Sequence, residues 1–201
     1  MPHTFVYLAS QSPRRAQLLD QLGVRHQALL PGPDEDAEAL EAVLPREGAD
    51  AYVQRVTGLK LQAALQRLRR RGLPPAPVLC ADTTVVLGRR ILGKPESDDH
   101  ALEMLMALSG RTHRVLTAVA LGTARKQAAA LSTSRVEFTA IPPQQLKAYV
   151  ASGDPRGKAG AYAIQSSAAQ WVSRIEGSYS GIMGLPLHET ATLLRQLQVT
   201  F

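Results

Sequence analysis

Asp82 stands inside the run Val78-Leu79-Cys80-Ala81-Asp82-Thr83-Thr84-Val85-Val86-Leu87, where every neighbour is apolar or a small hydroxyl residue. Burial disfavours an ionised carboxylate unless a cation, a metal or hydrogen bonds hold its charge, so an acid in that setting usually has a partner and often a task. The alternative is an aspartate at a strand end, capped by solvent. Lys60 follows Val53 by two helical turns, on the face of Val56, Ala63 and Ala64, and either snorkels along that stripe or reaches a phosphate. Lys94 lies between Gly93 and Pro95, which fix the backbone on both sides and aim the ammonium in one direction.

The segment Ser10-Gln11-Ser12-Pro13-Arg14-Arg15 sits where a strand hands over to a helix. Ser12 can cap and Pro13 suits the first helical position, leaving the next backbone amides to face an anion. Two arginines in a first turn oppose the helix dipole, a cost that a bound phosphate would answer, and forked guanidiniums fit phosphate oxygens better than ammoniums do. An ordinary cap with two exposed arginines is the other reading. Glu35, between Asp34 and Asp36, either offers hard oxygen to magnesium or belongs to a solvated acidic loop. Gln165 is a neutral donor and acceptor, suited to a base edge or to a structural amide role.

Other chemistries lack their residues. The chain contains no glycine loop ending in Gly-Lys-Ser/Thr, no Gly-x-Ser-x-Gly elbow and no zinc-spaced pair among its five histidines. Its lone cysteine, Cys80, reads as a small buried hydrophobe. The net charge of +6 suits any anionic partner, but aromatics are only 4% of the chain, which argues against a nucleic-acid surface. Part of that charge, Arg67 and Arg69 to Arg71, reads as a solvated helix end. No signal peptide and no membrane-length apolar run is read, so the expected location is the cytoplasm.

These residues need a scaffold, and 201 residues with 45% hydrophobic content suffice for one domain spanning 1–201. Strands are expected at 5–9, 26–30, 78–87, 91–92, 114–122, 128–139, 161–164 and 171–175. Helices are expected at 12–22, from an N-cap at Asp50 to 70, from Ser97 to Gly110 with a buried stripe of Leu102, Leu105, Met106 and Leu108, at 142–152, and from 187 to about 197. Residues 31–48 form an acidic loop with some local helix. The pattern is α/β with a mixed sheet.

In chain order, Leu8-Ala9-Ser10-Gln11-Ser12-Pro13-Arg14-Arg15, Asp34-Glu35, Lys60, Ala81-Asp82-Thr83 and Leu92-Gly93-Lys94-Pro95 resemble the motifs of the Maf family of nucleoside triphosphate pyrophosphatases. So do Leu108 to His113, Lys158 to Gln165, Ile175 to Tyr179 and Gly184-Leu185-Pro186. The likeness covers almost the whole chain. It implies a Maf/ITPase-like fold, a mixed β-sheet with flanking helices in two lobes around a deep cleft, and a homodimer. It also implies a divalent cation (Mg2+, Mn2+ or Co2+) and release of pyrophosphate from a nucleoside triphosphate.

By that resemblance Asp82 is the proton acceptor that activates water, Ser10, Arg15, Lys60 and Lys94 hold the triphosphate, and Glu35 lies near the metal with Asp82. Thr83 after the aspartate and Ala161-Tyr162 before Ile164-Gln165 are similar to the dTTP/UTP branch, whose specificity positions correspond to Arg14, Thr83 and Gln165. Modified pyrimidine triphosphates fit the same branch. A catalytically silent nucleotide-binding regulator of cell division is the competing implication. The chain departs from the pattern by extending the acidic loop between residues 36 and 48, by Ala163 where glycine is common, and by Ser166-Ser167 after Gln165.

Overall fold

The computed structural model describes residues 2–33, 35 and 39–201. Asp34 and Asp36, which flank Glu35, lie outside the described residues. Strands β1 (Val6–Leu8), β2 (His26–Ala28), β3 (Val78–Leu87), β4 (Arg90–Leu92), β5 (Thr112–Gly122), β6 (Gln127–Phe138) and β7 (Val172–Glu176) form one sheet. Their order is β2-β1-β3-β5-β6-β7, with β4 also on β3. β1 runs parallel to both β2 and β3, while the remaining pairs are antiparallel. The mixed sheet follows from the connections. Helices α1 (Pro13–Gln21) and α2 (Ala49–Arg70) return the chain for parallel pairing, whereas the tight turns after β3 and β5 reverse it.

Alternation along β3 sorts its side chains by face. Leu79 and Ala81 pack with Leu18 and Leu19 of α1 and with Leu193 and Leu194 of the closing helix α6 (Leu187–Gln196). Val78 and Cys80 face Leu61, Ala64 and Leu68 of α2. Cys80 is fully buried, and burial pushes its thiol up to about 12, the inert state expected of a core cysteine. Farther along the sheet, α3 (Asp98–Leu108) and α4 (Pro143–Ala151) enclose a second core around Phe138, Tyr149, Tyr162 and Trp171. Two lobes result, joined by the long β3, β5 and β6, with a cleft of about 1220 Å³ between them.

Several local expectations need correction. Residues 161–164 form no strand: Gly160 and Ala161 both adopt positive φ (68° and 61°), and the chain turns through a 3₁₀ turn at Ala159–Ala161 instead of extending. Helix α2 is preceded by Gly48, so Asp50 lies inside its first turn and pairs with Arg114. In α3 the buried stripe is Ala101, Met104, Leu105 and Leu108, and Met106 is exposed. Ser97 does cap α3 by accepting the His100 amide. The short helix α5 (Tyr179–Met183), capped by Ser178 accepting from the Gly181 amide, has no counterpart in the sequence reading.

Candidate active site

β1 pairs with β3 only as far as Leu8 opposite Leu79, and β4 joins the same edge only from Val85 onward. Among the described residues no strand pairs with 80–84 on that side, so the middle of β3 borders a notch. The notch opens beyond the carboxyl end of β1. From there the chain connects outward to β2 through α1 and then back to β3 through α2, the crevice where open α/β sheets bind ligands.

Asp82 points from this notch toward α2. There the Lys60 ammonium lies 2.5 Å from Asp82 Oδ1 and 2.8 Å from Glu41 Oε1. Lys60 is on the inward face of α2, beside Leu61 and Ala64, so its stem runs along the core and its head emerges at the acid. Burial pulls the Lys60 ammonium down, but Asp82 and Glu41 outweigh it and hold it above the ordinary lysine range. Glu41, at the end of the 3₁₀ turn Ala39–Glu41, also contacts the Lys94 ammonium, 3.2 Å from Oε2. Burial pushes its carboxyl up, and the ammoniums of Lys60 and Lys94 more than offset that, holding it below the usual range.

The opposite face of β3 presents Thr83. The Arg15 guanidinium there donates to Gly184 O (2.8 Å), Ser10 Oγ (3.1 Å) and, at 3.4 Å, Thr83 Oγ1. Burial lowers the Arg15 pKa and the nearby Asp82 charge opposes that shift. Arg14 reaches the Met183 carbonyl at 3.4 Å. Ser12 precedes α1 without a capping bond from its hydroxyl, contrary to expectation, and its amide donates to Ser10 Oγ. Both arginines thus brace the 183–184 turn, and both line the cleft.

Glu35 also lines the cleft, held by the Arg67 guanidinium through Nη2 (2.7 Å) and Nε (3.0 Å) and by Arg70 at 3.0 Å. The Arg67 hydrogen bonds bring its carboxyl down to about 2 against the opposing effect of burial. Arg67 is buried and bonds the Leu29 carbonyl as well, so it is no part of a solvated helix face. On the second lobe, Lys94, Lys158 and Gln165 line the same cavity, Gln165 as an exposed side chain and Lys158 with its ammonium on Asp154. The Gly160 amide donates to the Gly93 carbonyl at 3.0 Å, tying the two segments together.

A family model described as Maf-like protein matches residues 5–197. The chain is 67% identical over 191 residues to a dTTP/UTP pyrophosphatase of Albidiferax ferrireducens, covering 95% of this chain and 96% of that protein. It is 66% identical over 191 residues to a protein of the same name from Polaromonas sp., covering 95% of each chain. Over 199 residues it is 60% identical to another from Cupriavidus pinatubonensis, covering 99% of this chain and 100% of that one. The chain belongs to the Maf family.

The nine residues that the Maf resemblance singled out all line this one cleft. Missed from sequence were Glu41, one acid among several in a stretch that departs from the Maf pattern, and Arg67, hidden in a run of arginines. As oxygen donors for a divalent cation, Asp82 and Glu41 converge on one ammonium at the notch, while the Glu35 oxygens are engaged by Arg67, Arg70 and the Gly32 amide. Among the described residues no cluster of three or more His, Cys, Asp or Glu side chains forms a closed metal cage. A magnesium-type ion held by one or two carboxylates together with substrate phosphates fits such a donor set.

Proposed function

We propose that this Maf protein hydrolyses dTTP and UTP, and their modified pyrimidine analogues, to the nucleoside monophosphate and pyrophosphate. The observation that carries the reading is the placement of Asp82. It is a buried acid in the middle of a core strand, bordering a notch, in contact with Lys60 and lining one cleft with Lys94 and Arg15.

In this mechanism a water beside Asp82 attacks the α-phosphorus as the carboxylate takes its proton. The bond from the α-phosphorus to the oxygen bridging toward the β-phosphorus breaks, and the electron pair leaves with pyrophosphate. Lys60 orients Asp82 before attack, and with Lys94 it meets the charge that gathers on the leaving oxygens. Arg15 and Ser10 hold phosphate oxygens from the opposite side of β3. A divalent cation held by Asp82 and Glu41 would polarise the phosphates and neutralise their charge. Glu35, expected beside the metal, would here fix the Arg67 and Arg70 guanidiniums on the cleft wall. Arg14, Thr83 and Gln165 would meet the nucleoside, Gln165 reading the pyrimidine edge from the second lobe.

The test is pyrophosphate release from a panel of dTTP, UTP, CTP, their 5-methyl forms and methylated GTP with magnesium, manganese or cobalt, repeated with Asp82→Asn. Turnover of dTTP and UTP that falls by roughly 10²–10⁴-fold in the variant supports the reading. A fully active variant removes Asp82 from its role, and tight triphosphate binding without turnover in the wild type makes the protein a nucleotide-binding regulator. A homodimer is part of the proposal, and sedimentation equilibrium decides it.

A further inference from the structure

Glu41 is the one acidic side chain of the extended loop, among the described residues, that enters the catalytic notch, and it occupies an awkward place. Its two oxygens sit on the ammoniums of Lys60 and Lys94, the cations that the proposed reaction reserves for the triphosphate. Its position is built in. The Tyr52 hydroxyl donates to the Glu41 carbonyl at 2.9 Å, and the Arg55 guanidinium donates to the Ala42 carbonyl at 2.8 Å. Arg55 also grips Glu47 at 2.6 and 2.7 Å, and Glu47 accepts the Leu44 amide. Tyr52 and Arg55 of α2, with Ala42, Leu44 and Glu47 of the loop, therefore carry this carboxylate to the site.

A fixed anion there has opposite effects on two forms of the same substrate. A metal-free triphosphate is itself highly anionic and must compete with Glu41 for both lysines while facing Asp82 as a second like charge. A triphosphate carrying a divalent cation brings the positive charge that Glu41 and Asp82 together lack, and the acid that repelled the first form becomes an oxygen donor to the second. We propose that Glu41 is a specificity-determining residue that makes the cleft select the metal complex of the nucleoside triphosphate and reject the metal-free form. This rests on the pyrophosphatase reading above.

The experiment is calorimetric binding of an α,β-methylene analogue of dTTP at constant ionic strength, once in EDTA and once with magnesium, to the wild type, Glu41→Gln and Glu41→Asp. The expected result is that Glu41→Gln tightens binding in EDTA by roughly tenfold, loosens it with magnesium, and so shrinks the gap between the two conditions. Glu41→Asp keeps the charge and stays near the wild type. Tyr52→Phe, which keeps the ring and removes only the anchoring hydroxyl, shifts binding in the same direction as Glu41→Gln by less, and decides the matter should Glu41→Gln not fold. Affinities in Glu41→Gln and Tyr52→Phe equal to the wild type in both conditions, or weaker in EDTA, overturn the proposal alone. A wild type that binds the analogue in neither condition overturns the pyrophosphatase reading and this inference with it.

Discussion

Asp82 and Thr83 are consecutive on β3 and point to opposite faces of the sheet, yet both line one cleft, because the strand edge between Leu79 and Val85 has no neighbour among the described residues. Asp82 meets Lys60 from α2 on one face, and Thr83 meets Arg15 from α1 on the other. A ligand in the notch thus touches both sides of a single strand. Alternation, which elsewhere separates neighbours, would in the proposed reaction divide proton transfer and substrate placement between them.

That division is testable through Thr83→Val. The isosteric change removes a hydroxyl that accepts from Arg15 and shares a hydrogen bond with Thr117, while the Asp82 to Lys60 pair on the far face stays intact. We expect kcat for dTTP to change by less than about threefold while KM or the preference between dTTP and UTP shifts by roughly fivefold, the scale of about 1 kcal/mol for one modest hydrogen bond. Steady-state kinetics on both substrates give the answer. A collapse of kcat with unaltered KM would place Thr83 in the chemical step.

Lys60→Met removes the ammonium shared by Asp82 and Glu41 and leaves two acids facing each other in a half-buried site. Breaking a fully buried pair costs about 3–5 kcal/mol; with both side chains partly open to solvent, about 1–3 kcal/mol of stability should be lost. Pyrophosphate release should fall by at least about 100-fold. Urea denaturation and a single-turnover assay measure the two effects separately, and retention of both properties would strip Lys60 of its place.

Gly184 ends α5 at φ 119°, a left-handed conformation, and offers its carbonyl to Arg15 Nε. A Cβ added there would sit 3.6 Å from Arg15 and Thr83, an ordinary contact, so space is available and conformation is the obstacle. Gly184→Ala is expected to lower stability by about 1–2 kcal/mol and to raise KM as Arg15 loses its brace. Thermal denaturation and kinetics check it, and a silent substitution would show that the turn relaxes without moving the guanidinium.

Acid should weaken the second lobe before it reaches the cleft. Burial takes His113 from the ordinary histidine value of 6.5 down to about 4, and its Nε2 lies 2.7 Å from Tyr162 Oη. The unfolded chain binds a proton that the folded one refuses, so stability falls as pH drops from 6.5 to 4, by about 3 kcal/mol over the full window. Glu35 acts in the same direction at lower pH: its contribution is complete above 4.5 and is lost as pH falls toward 2. Guanidinium denaturation at pH 7, 5 and 4 should therefore show His113→Gln less acid-sensitive than the wild type. Equal slopes for the two proteins would refute the assignment.

Much of this was legible in the residues themselves. The ten-residue β3 and the 22-residue α2 stand out by composition and periodicity, and an acid within the first calls for a partner, although only the folded chain shows that partner to be Lys60. Residues 161–164 misled because Tyr162 and Ile164 alternate like strand residues, while the decisive fact is a positive φ at Ala161, which its side chain does not announce. Glu41 was unreadable for a different reason. Nothing in an acidic stretch says which acid will be delivered to a site, and the delivery depends on Tyr52 and Arg55, whose bonds to that stretch exist only in the folded chain.

The hydrogen bond from the Gly160 amide to the Gly93 carbonyl makes one frame of two segments, the first leading into Gln165 and the second carrying Lys94. In the proposed reaction, a pyrimidine that seats badly against Gln165 would tug on the same frame that carries Lys94 to the leaving group. The penalty for a wrong base then falls on the speed of bond cleavage more than on how long the nucleotide stays, so ill-fitting triphosphates would occupy the enzyme and depart uncut.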